Sequence, residues 1–215
     1  GFAMRTPQPW PVRLTHWINV PALTLMALSG LQLFIAYPHF GPAANHWNLP
    51  FDGWIPPASA RSGHGLAAGR GIHFLIGWLL VGNAVVYLGY VLASGEYRRR
   101  FFWPPRDTRS MFQQALHYLR IRKQPPSPAF YNGLQRAAYS SVLLLGILEV
   151  WSGFVMYKPV QLHALGIPLG GYDGARAVHF FGLVALVFFV IGHIVMVLLH
   201  PRSLVEIVTG GTPRE

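Results

Sequence analysis

Four segments of this chain are each long and apolar enough to cross a lipid bilayer, and no other feature restricts its possible folds as strongly. They lie at about residues 14–37, 72–93, 134–157 and 175–199. A membrane-spanning helix needs roughly 20 mainly apolar residues, and its backbone groups must hydrogen-bond within the segment. The sequence therefore predicts an all-α integral membrane four-helix bundle, with a single domain over residues 1–215. We interpret the first run as a permanent span, because it is too long for a cleaved signal peptide.

The composition agrees with a membrane protein and narrows its metal chemistry. Only 11% of the residues are charged, whereas a soluble domain carries about 25%. The chain contains no Cys, which excludes disulfides, thiolate metal sites, iron–sulfur clusters and covalently attached haem. Ten His residues remain as the main candidate metal ligands.

Basic residues are concentrated in three parts of the chain outside the spans. The N-terminal segment, the connection 94–133 with the adjacent Arg136, and the C-terminal tail hold 13 of the 17 Lys and Arg residues. Because cytoplasmic segments are enriched in Lys and Arg, we expect both termini in the cytoplasm. Topology and contact with membrane lipid then explain the net charge of +10, and no nucleic-acid partner is expected. Residues 107–123 are predicted to form an amphipathic surface helix.

Four histidines within the spans fall at two depths when this topology is applied. His16 and His193 lie toward the cytoplasmic side, and His73 and His179 lie toward the outer side. The 14 residues from His179 to His193 correspond to roughly 21 Å and about four helical turns, so both side chains lie on nearly the same face of the fourth span. One helix can therefore offer a ligand at each depth, and the first and second spans each offer a second one.

Haem suits such histidine pairs better than zinc does. A zinc site needs about three or four protein ligands, whereas two axial histidines suffice when a porphyrin supplies the other four nitrogens. Without Cys the haem is non-covalent, so the sequence predicts two b-type haems. Glycines near the ligands would let a flat macrocycle approach the backbone: Gly30, Gly77, Gly182 and Gly192.

Three of the histidines share a local pattern, which reads "RLTHW", "RGIHF" and "RAVHF". In each, an Arg lies three residues before the His, about one helical turn toward the water side. Arg13, Arg70 and Arg176 are candidates to pair with haem propionates or lipid phosphates. The alternative is that these Arg residues and aromatics are interface anchors and that any single His is a hydrogen-bonded core residue. Four histidines paired by depth favour the functional interpretation, because polar groups in lipid are costly.

The chain resembles the bacterial dihaem cytochrome b superfamily. The resemblance rests on "RLTHW" in the first span, "GRGIHF" in the second and "HFFGLVALVFFVIGH" in the fourth, with "NGLQRAAY" and "WSGFVMY" at the ends of the third. This superfamily includes the membrane cytochrome b subunits of nickel–iron hydrogenase, formate dehydrogenase and thiosulfate reductase. The resemblance implies that His16 and His193 bind a cytoplasmic-side haem, and that His73 and His179 bind a periplasmic-side haem.

The resemblance also implies a function in the bacterial inner membrane. Such proteins transfer electrons between membrane quinone and a redox partner, commonly a periplasmic oxidoreductase subunit, and a molybdenum enzyme is one candidate. The alternative is a stand-alone cytochrome b that reduces quinone with electrons from a small diffusible donor such as superoxide. A third class is a haem-free channel or transporter.

Further polar residues are candidates for the quinone site and its proton path. We expect the site beside the inner haem, near His16, Asn19, His193 and His200. His200 follows the fourth span at its cytoplasmic end, and a His side chain can titrate near neutral pH. The competing site lies near Glu149, the only acidic residue well inside a span, which either carries protons or pairs with Arg70 or Arg176.

Three other residues are weaker candidates. His64 is an alternative to His73 as the ligand from the second span. Asn83 and Gln32 are candidates for polar packing or quinone contacts.

Overall fold

The structure is a computed structural model that describes residues 8–63, 65–121, 133–199 and 201–211. Within these ranges the regular structure is helical, with no strand. The predicted candidates His64 and His200 lie outside the described residues. Eight α-helices follow one another within the described ranges: α1 Trp10–Phe34, α2 Gly65–Ala93, α3 Tyr97–Arg100, α4 Pro104–Tyr118, α5 Gly133–Tyr157, α6 His163–Gly166, α7 Gly171–Leu199 and α8 Arg202–Thr209.

The four long helices α1, α2, α5 and α7 confirm the predicted all-α membrane architecture, and each is long and apolar enough to cross a membrane. Large apolar side chains on their outer faces are exposed, among them Leu75, Phe188 and Leu198, as expected for surfaces in contact with lipid. The helices begin up to seven residues before the apolar runs. The extra turns contain Arg13 and Arg70, which extend a helix well but would be costly deep in lipid.

The bundle consists of two helical hairpins, because α1 packs along α2 and α5 packs along α7. Within the first hairpin, the buried Asn83 side-chain amide donates to the Thr15 carbonyl at 2.8 Å and to the Asn19 side-chain oxygen at 2.7 Å. Among the described residues, the backbones of the two hairpins approach each other closely at few places. Contact between the hairpins therefore depends largely on the side chains that project between them.

The segments rich in basic residues lie at one end of the bundle. The Gln8 amide donates to the Gly210 carbonyl at 2.8 Å, and Arg100 donates to the Gln8 side chain at 3.0 Å. The short helix α4 packs on the start of α5. The predicted surface helix 107–123 is present in part as α4, which starts earlier because Pro104 is favoured at a helical N-terminus and which ends at Tyr118. Residues 122 and 123 lie outside the described ranges.

Asp107 lies at the centre of this basic end and is 2% exposed. Its carboxylate accepts hydrogen bonds from Arg106 at 2.8 Å, from Arg136 at 2.6 Å and from the Trp103 amide at 2.8 Å. Burial raises the pKa of Asp107, but the bonds from Arg106, Trp103 and Arg136 outweigh it and lower the pKa to about 2. This ion-pair network attaches α4 to α5.

The opposite end is covered by the loop 35–57. Phe40 of this loop is fully buried and packs on Phe180 of α7, with ring centres 5.2 Å apart. Arg176 of α7 holds the loop by donating to the Tyr37 carbonyl at 2.7 Å and to the His39 carbonyl at 3.1 Å. The loop is therefore anchored to the first turns of α7, close to His179.

Candidate functional site

His73 of α2 and His179 of α7 face each other between the two hairpins. Their ring centres are 6.1 Å apart and their planes cross at 70°. Both rings are half-buried. The Nδ1 atom of His73 lies 3.0 Å from the Ser29 hydroxyl oxygen, and the Nδ1 atom of His179 lies 3.0 Å from the Ser152 hydroxyl oxygen. Both serines are fully buried.

The hydrogen bonds at these rings indicate which nitrogen carries the proton. Ser152 donates to the Leu148 carbonyl at 2.7 Å, and His179 Nδ1 also lies 3.1 Å from the Glu149 carbonyl oxygen. A carbonyl oxygen only accepts, so Nδ1 is the protonated nitrogen and Nε2 keeps a free lone pair. His73 has the same arrangement, since it bonds to Ser29 and to the backbone of Met26. Such hydrogen bonds at Nδ1 leave Nε2 of each ring available to a metal.

Glycines beside the two serines make room for the rings. A Cβ atom added at Gly30 would lie 3.2 Å from His73 Cε1, and one added at Gly153 would lie 3.4 Å from His179 Cε1. The two hairpins therefore repeat one device, in which a Ser-Gly pair on one helix supports a His on the next.

Glu149 breaks the symmetry between the hairpins. It occupies the position in α5 that Met26 occupies in α1, three residues before the supporting serine. Its Oε2 atom lies 3.0 Å from His179 Nδ1, and its carboxylate fills the space that a side chain at Gly182 would need. The partner of Glu149 is therefore His179, rather than Arg70 or Arg176.

His16 of α1 and His193 of α7 form the second pair. Their ring centres are also 6.1 Å apart, with planes at 58°. Phe189 stacks parallel to His193, with ring centres 6.2 Å apart, and Trp17 meets His16 edge-on at 5.2 Å. Among the described residues, the buried Nδ1 atom of His16 has no hydrogen-bond partner. The second pair is thus supported mainly by aromatic contacts.

The spacing of both pairs fits an iron between two axial histidines. A histidine nitrogen lies about 2.0–2.1 Å from a bound metal, so two rings on opposite sides of one ion have centres roughly 6 Å apart. Both pairs match this spacing. Since α7 carries one ligand of each pair, the two sites follow one another along the same helix, as the 14-residue spacing predicts.

The three Arg residues predicted as propionate partners have different surroundings. Arg13 donates to the backbone carbonyls of Ile207 at 3.3 Å and of Val208, and Arg176 holds the loop 35–57. Arg70 is exposed. Arg13 and Arg176 therefore also attach the ends of the bundle to its spans.

The remaining candidates are mostly engaged in helix packing. Asn19 and Asn83 bond to each other between α1 and α2. The buried Gln32 packs against Gly69, where an added Cβ atom would lie 2.9 Å from its Cγ. A Cβ atom at Gly77 would lie 3.7 Å from the end of Met26, whereas one at Gly192 would meet nothing within 4 Å.

The four spanning helices and the two inward-facing histidine pairs define a membrane-embedded b-type cytochrome. The chain belongs to the prokaryotic cytochrome b561 family, whose model matches residues 8–210. It is therefore a multi-pass protein of the bacterial inner membrane that carries b-type haem and takes part in electron transfer. The expected resemblance to bacterial membrane cytochromes b is confirmed.

Curated relatives cover most of the chain. A protein of Azospira oryzae, named as subunit YedZ1 of a protein-methionine-sulfoxide reductase, is 37% identical over 202 residues and is matched over 94% of each chain. A protein of Escherichia coli, named as a B-type cytochrome subunit of Ni/Fe-hydrogenase 1, is 23% identical over 87% of this chain and 80% of its own. A Ni/Fe-hydrogenase B-type cytochrome subunit of Cupriavidus necator is 25% identical, over 86% and 75% respectively.

Sequence reasoning missed the two supporting serines. Their signal is the dipeptide Ser-Gly, which occurs near the end of both α1 and α5, at 29–30 and 152–153. It becomes informative only when each of these helices is known to pack beside a helix that carries a His.

Proposed function

We propose that this chain carries electrons through two b-type haems between membrane quinone and a partner oxidoreductase. His16 with His193 would hold one haem, and His73 with His179 the other. The observation that carries the proposal is the equal spacing of the two pairs, with 6.1 Å between ring centres in each. When bound, the haems supply one-electron carriers at two depths of the bilayer.

The protein contributes position and orientation. Helix α7 sets the two sites about 21 Å apart along its axis. Ser29 and Ser152 hold the rings of His73 and His179 with Nε2 free.

The distribution of basic residues supports a sidedness for this arrangement. The start of α1, helices α3 and α4 and helix α8 lie at one end of the bundle, and this end carries most of the Lys and Arg residues that the structure describes. Because cytoplasmic segments are enriched in basic residues, this distribution supports a cytoplasmic location for both termini and for the His16–His193 pair. The His73–His179 pair lies toward the periplasm.

The periplasmic end is suited to a protein partner. The loop 35–57 exposes Phe51, Trp54 and Ile55, and the basic residues of this end are few. An apolar, aromatic patch favours docking of a protein over a basic funnel for superoxide. Because the Azospira relative is named for methionine-sulfoxide reduction, we expect a periplasmic oxidoreductase subunit of that kind, with a molybdenum enzyme as the expected class.

We place the quinone site beside the cytoplasmic-side pair. Trp17 donates to the Ile207 carbonyl at 3.2 Å, and this bond brings α8 against the part of α1 that carries His16 and Asn19. In the sequence, α8 begins two residues after His200. The competing outer site depends on Glu149 as a free proton carrier, whereas this carboxylate is bonded to His179.

Rapid reduction of the purified haem-loaded protein by a quinol analogue tests this function. We expect both haems to be reduced, and a quinol-site inhibitor to perturb the haem that is lost in His193→Ala. His200→Ala should slow the reduction, whereas His163→Ala, at the opposite end, should not. Glu149→Gln should leave inhibitor binding nearly intact.

Two results would contradict the proposal. If the quinol reduced neither haem, the electron-transfer function would be wrong. If the inhibitor perturbed only the haem that is lost in His179→Ala, and Glu149→Gln abolished its binding, the quinone site would lie on the outer side.

A further inference from the structure

The loop 35–57 brings together three side chains that are suited to a metal ion and lie apart from the haem ligands. They are His39, His46 and Asp52. Each offers one ligand atom, and these atoms all lie within 4.8 Å of one another. His39 and His46 stack with ring centres 4.3 Å apart, and Asp52 Oδ2 lies 3.3 Å from His39 Nδ1.

The distance between Asp52 and His39 matches neighbouring ligands of one ion. Zinc binds nitrogen and oxygen ligands at about 2.0–2.2 Å, so two ligands of a tetrahedral site lie roughly 3.3–3.5 Å apart. His46 is exposed and His39 and Asp52 are half-buried, which leaves the group accessible to an ion from solution. Two imidazoles and one carboxylate form the ligand set of a zinc site with water in the fourth position.

The loop backbone holds these side chains in place without an ion. Asp52 Oδ1 accepts from the Phe40 amide at 2.8 Å. Gly41 adopts a φ of +80°, which turns the chain so that the Trp47 amide donates to the Phe40 carbonyl at 2.8 Å. This turn places His46 over His39. The loop backbone therefore holds the carboxylate in position, and the two rings are already adjacent.

We propose that His39, His46 and Asp52 bind a divalent ion of the zinc class at the outer end of the bundle. Three protein ligands and one water complete its coordination. The ion ties the loop 35–57 together next to Phe40, which packs on Phe180, the neighbour of His179. It thereby stabilises the cover over the outer histidine pair.

Zinc titration of the haem-loaded protein in detergent, after treatment with a chelator, tests the site. Competition with a chromogenic zinc chelator measures affinity, and zinc-edge X-ray absorption identifies the ligands. We expect one zinc per chain with two imidazoles in its coordination shell, and no change in the haem spectrum. His46→Ala removes an exposed ligand and should weaken zinc binding at least about 100-fold. Loss of a residue that only hydrogen-bonds to a metal ligand weakens binding by about 10–100-fold, and loss of a ligand should cost at least as much.

Two further variants separate metal binding from folding of the loop. Asp52→Asn keeps an acceptor for the Phe40 amide but removes the charged ligand, so it should also lose zinc. His163→Ala removes an exposed His of α6 at the same end of the bundle and should bind zinc as the unmodified protein does. Absence of zinc binding, unchanged affinity in His46→Ala, or equal weakening in His163→Ala would overturn the proposal.

Discussion

The Glu149 carboxylate lies 3.0 Å from Nδ1 of His179, the proposed haem ligand on α7. The equivalent position beside His73 is occupied by Met26. Each of the two proposed ligands of this site thus has a serine and a backbone carbonyl as partners, but only His179 also has a carboxylate. A carboxylate bonded to the distal nitrogen makes an imidazole a more basic ligand, which favours oxidised iron.

Glu149→Gln is therefore expected to raise the midpoint potential of the haem held by His179. The expected shift is on the order of 60 mV, which corresponds to a tenfold change in a one-electron equilibrium. Asp173→Asn is the matched control, because it removes a carboxylate from α7 six residues before His179. Redox titration followed in the haem absorption bands measures both variants. No shift in Glu149→Gln, or an equal shift in Asp173→Asn, would refute this role.

The two supporting serines are expected to matter for the same haem. Ser29→Ala and Ser152→Ala each remove a hydrogen bond that orients a ligand ring, and loss of such a partner weakens metal binding by about 10–100-fold. Haem retention during purification and dilution measures the effect. Thr24→Val is the control, since Thr24 lies on the same helix as Ser29, donates to the Val20 carbonyl and is exposed. Equal retention in all three variants would argue against support through Nδ1.

Ligand variants are expected to remove the haems in a paired manner. His16→Ala and His193→Ala should lose one spectral and redox component, and His73→Ala and His179→Ala the other, because each pair has the spacing for one iron. Low-temperature spectra and redox titration distinguish the components. Loss of the same component in His16→Ala and His179→Ala would show that the pairing is wrong, and retention of both haems in His73→Ala would indicate His64 as a ligand.

Asp107→Asn is expected to destabilise the basic end of the bundle. Removing one partner of a buried ion pair costs about 3 kcal/mol of the free energy of unfolding, because Arg106 and Arg136 lose their carboxylate. The folded pKa of Asp107, about 2, lies below its ordinary value of 3.8. Its contribution is therefore complete at neutral pH and is lost as the pH falls from about 5 toward 2.

Unfolding in detergent at several pH values measures this contribution. The difference between the unmodified protein and Asp107→Asn should be constant at neutral pH and should shrink under acid conditions. A difference that did not depend on pH would contradict an ion-pair origin.

The spans and the histidine pairs could be predicted from the sequence because both follow from one-dimensional patterns. Apolar length predicts the spans, and the distribution of Lys and Arg predicts their direction, which sorts His16, His73, His179 and His193 by depth. The surroundings of Glu149 could not be predicted in this way. Glu149 pairs with His179 because its side of α5 faces α7. The two predicted partners, Arg70 and Arg176, lie in the first turns of α2 and α7, near the end of the bundle.

The cluster of His39, His46 and Asp52 also escaped prediction. These residues are separated by six and five residues in a segment without helical or strand periodicity. Their approach depends on the turn at Gly41 and on the bond from the Phe40 amide to Asp52. Such contacts are set by the local backbone path of the loop, which apolar patterning does not determine.

The number of haems per chain tests the central claim most directly. Under the proposal, the two pairs of histidines, each with ring centres 6.1 Å apart, hold two irons in bis-histidine coordination. A pyridine haemochrome assay of the purified protein, combined with amino-acid analysis of the same sample, is expected to give about two non-covalent b-type haems per chain. A stoichiometry of one haem, or none, in protein that remains folded would contradict the account.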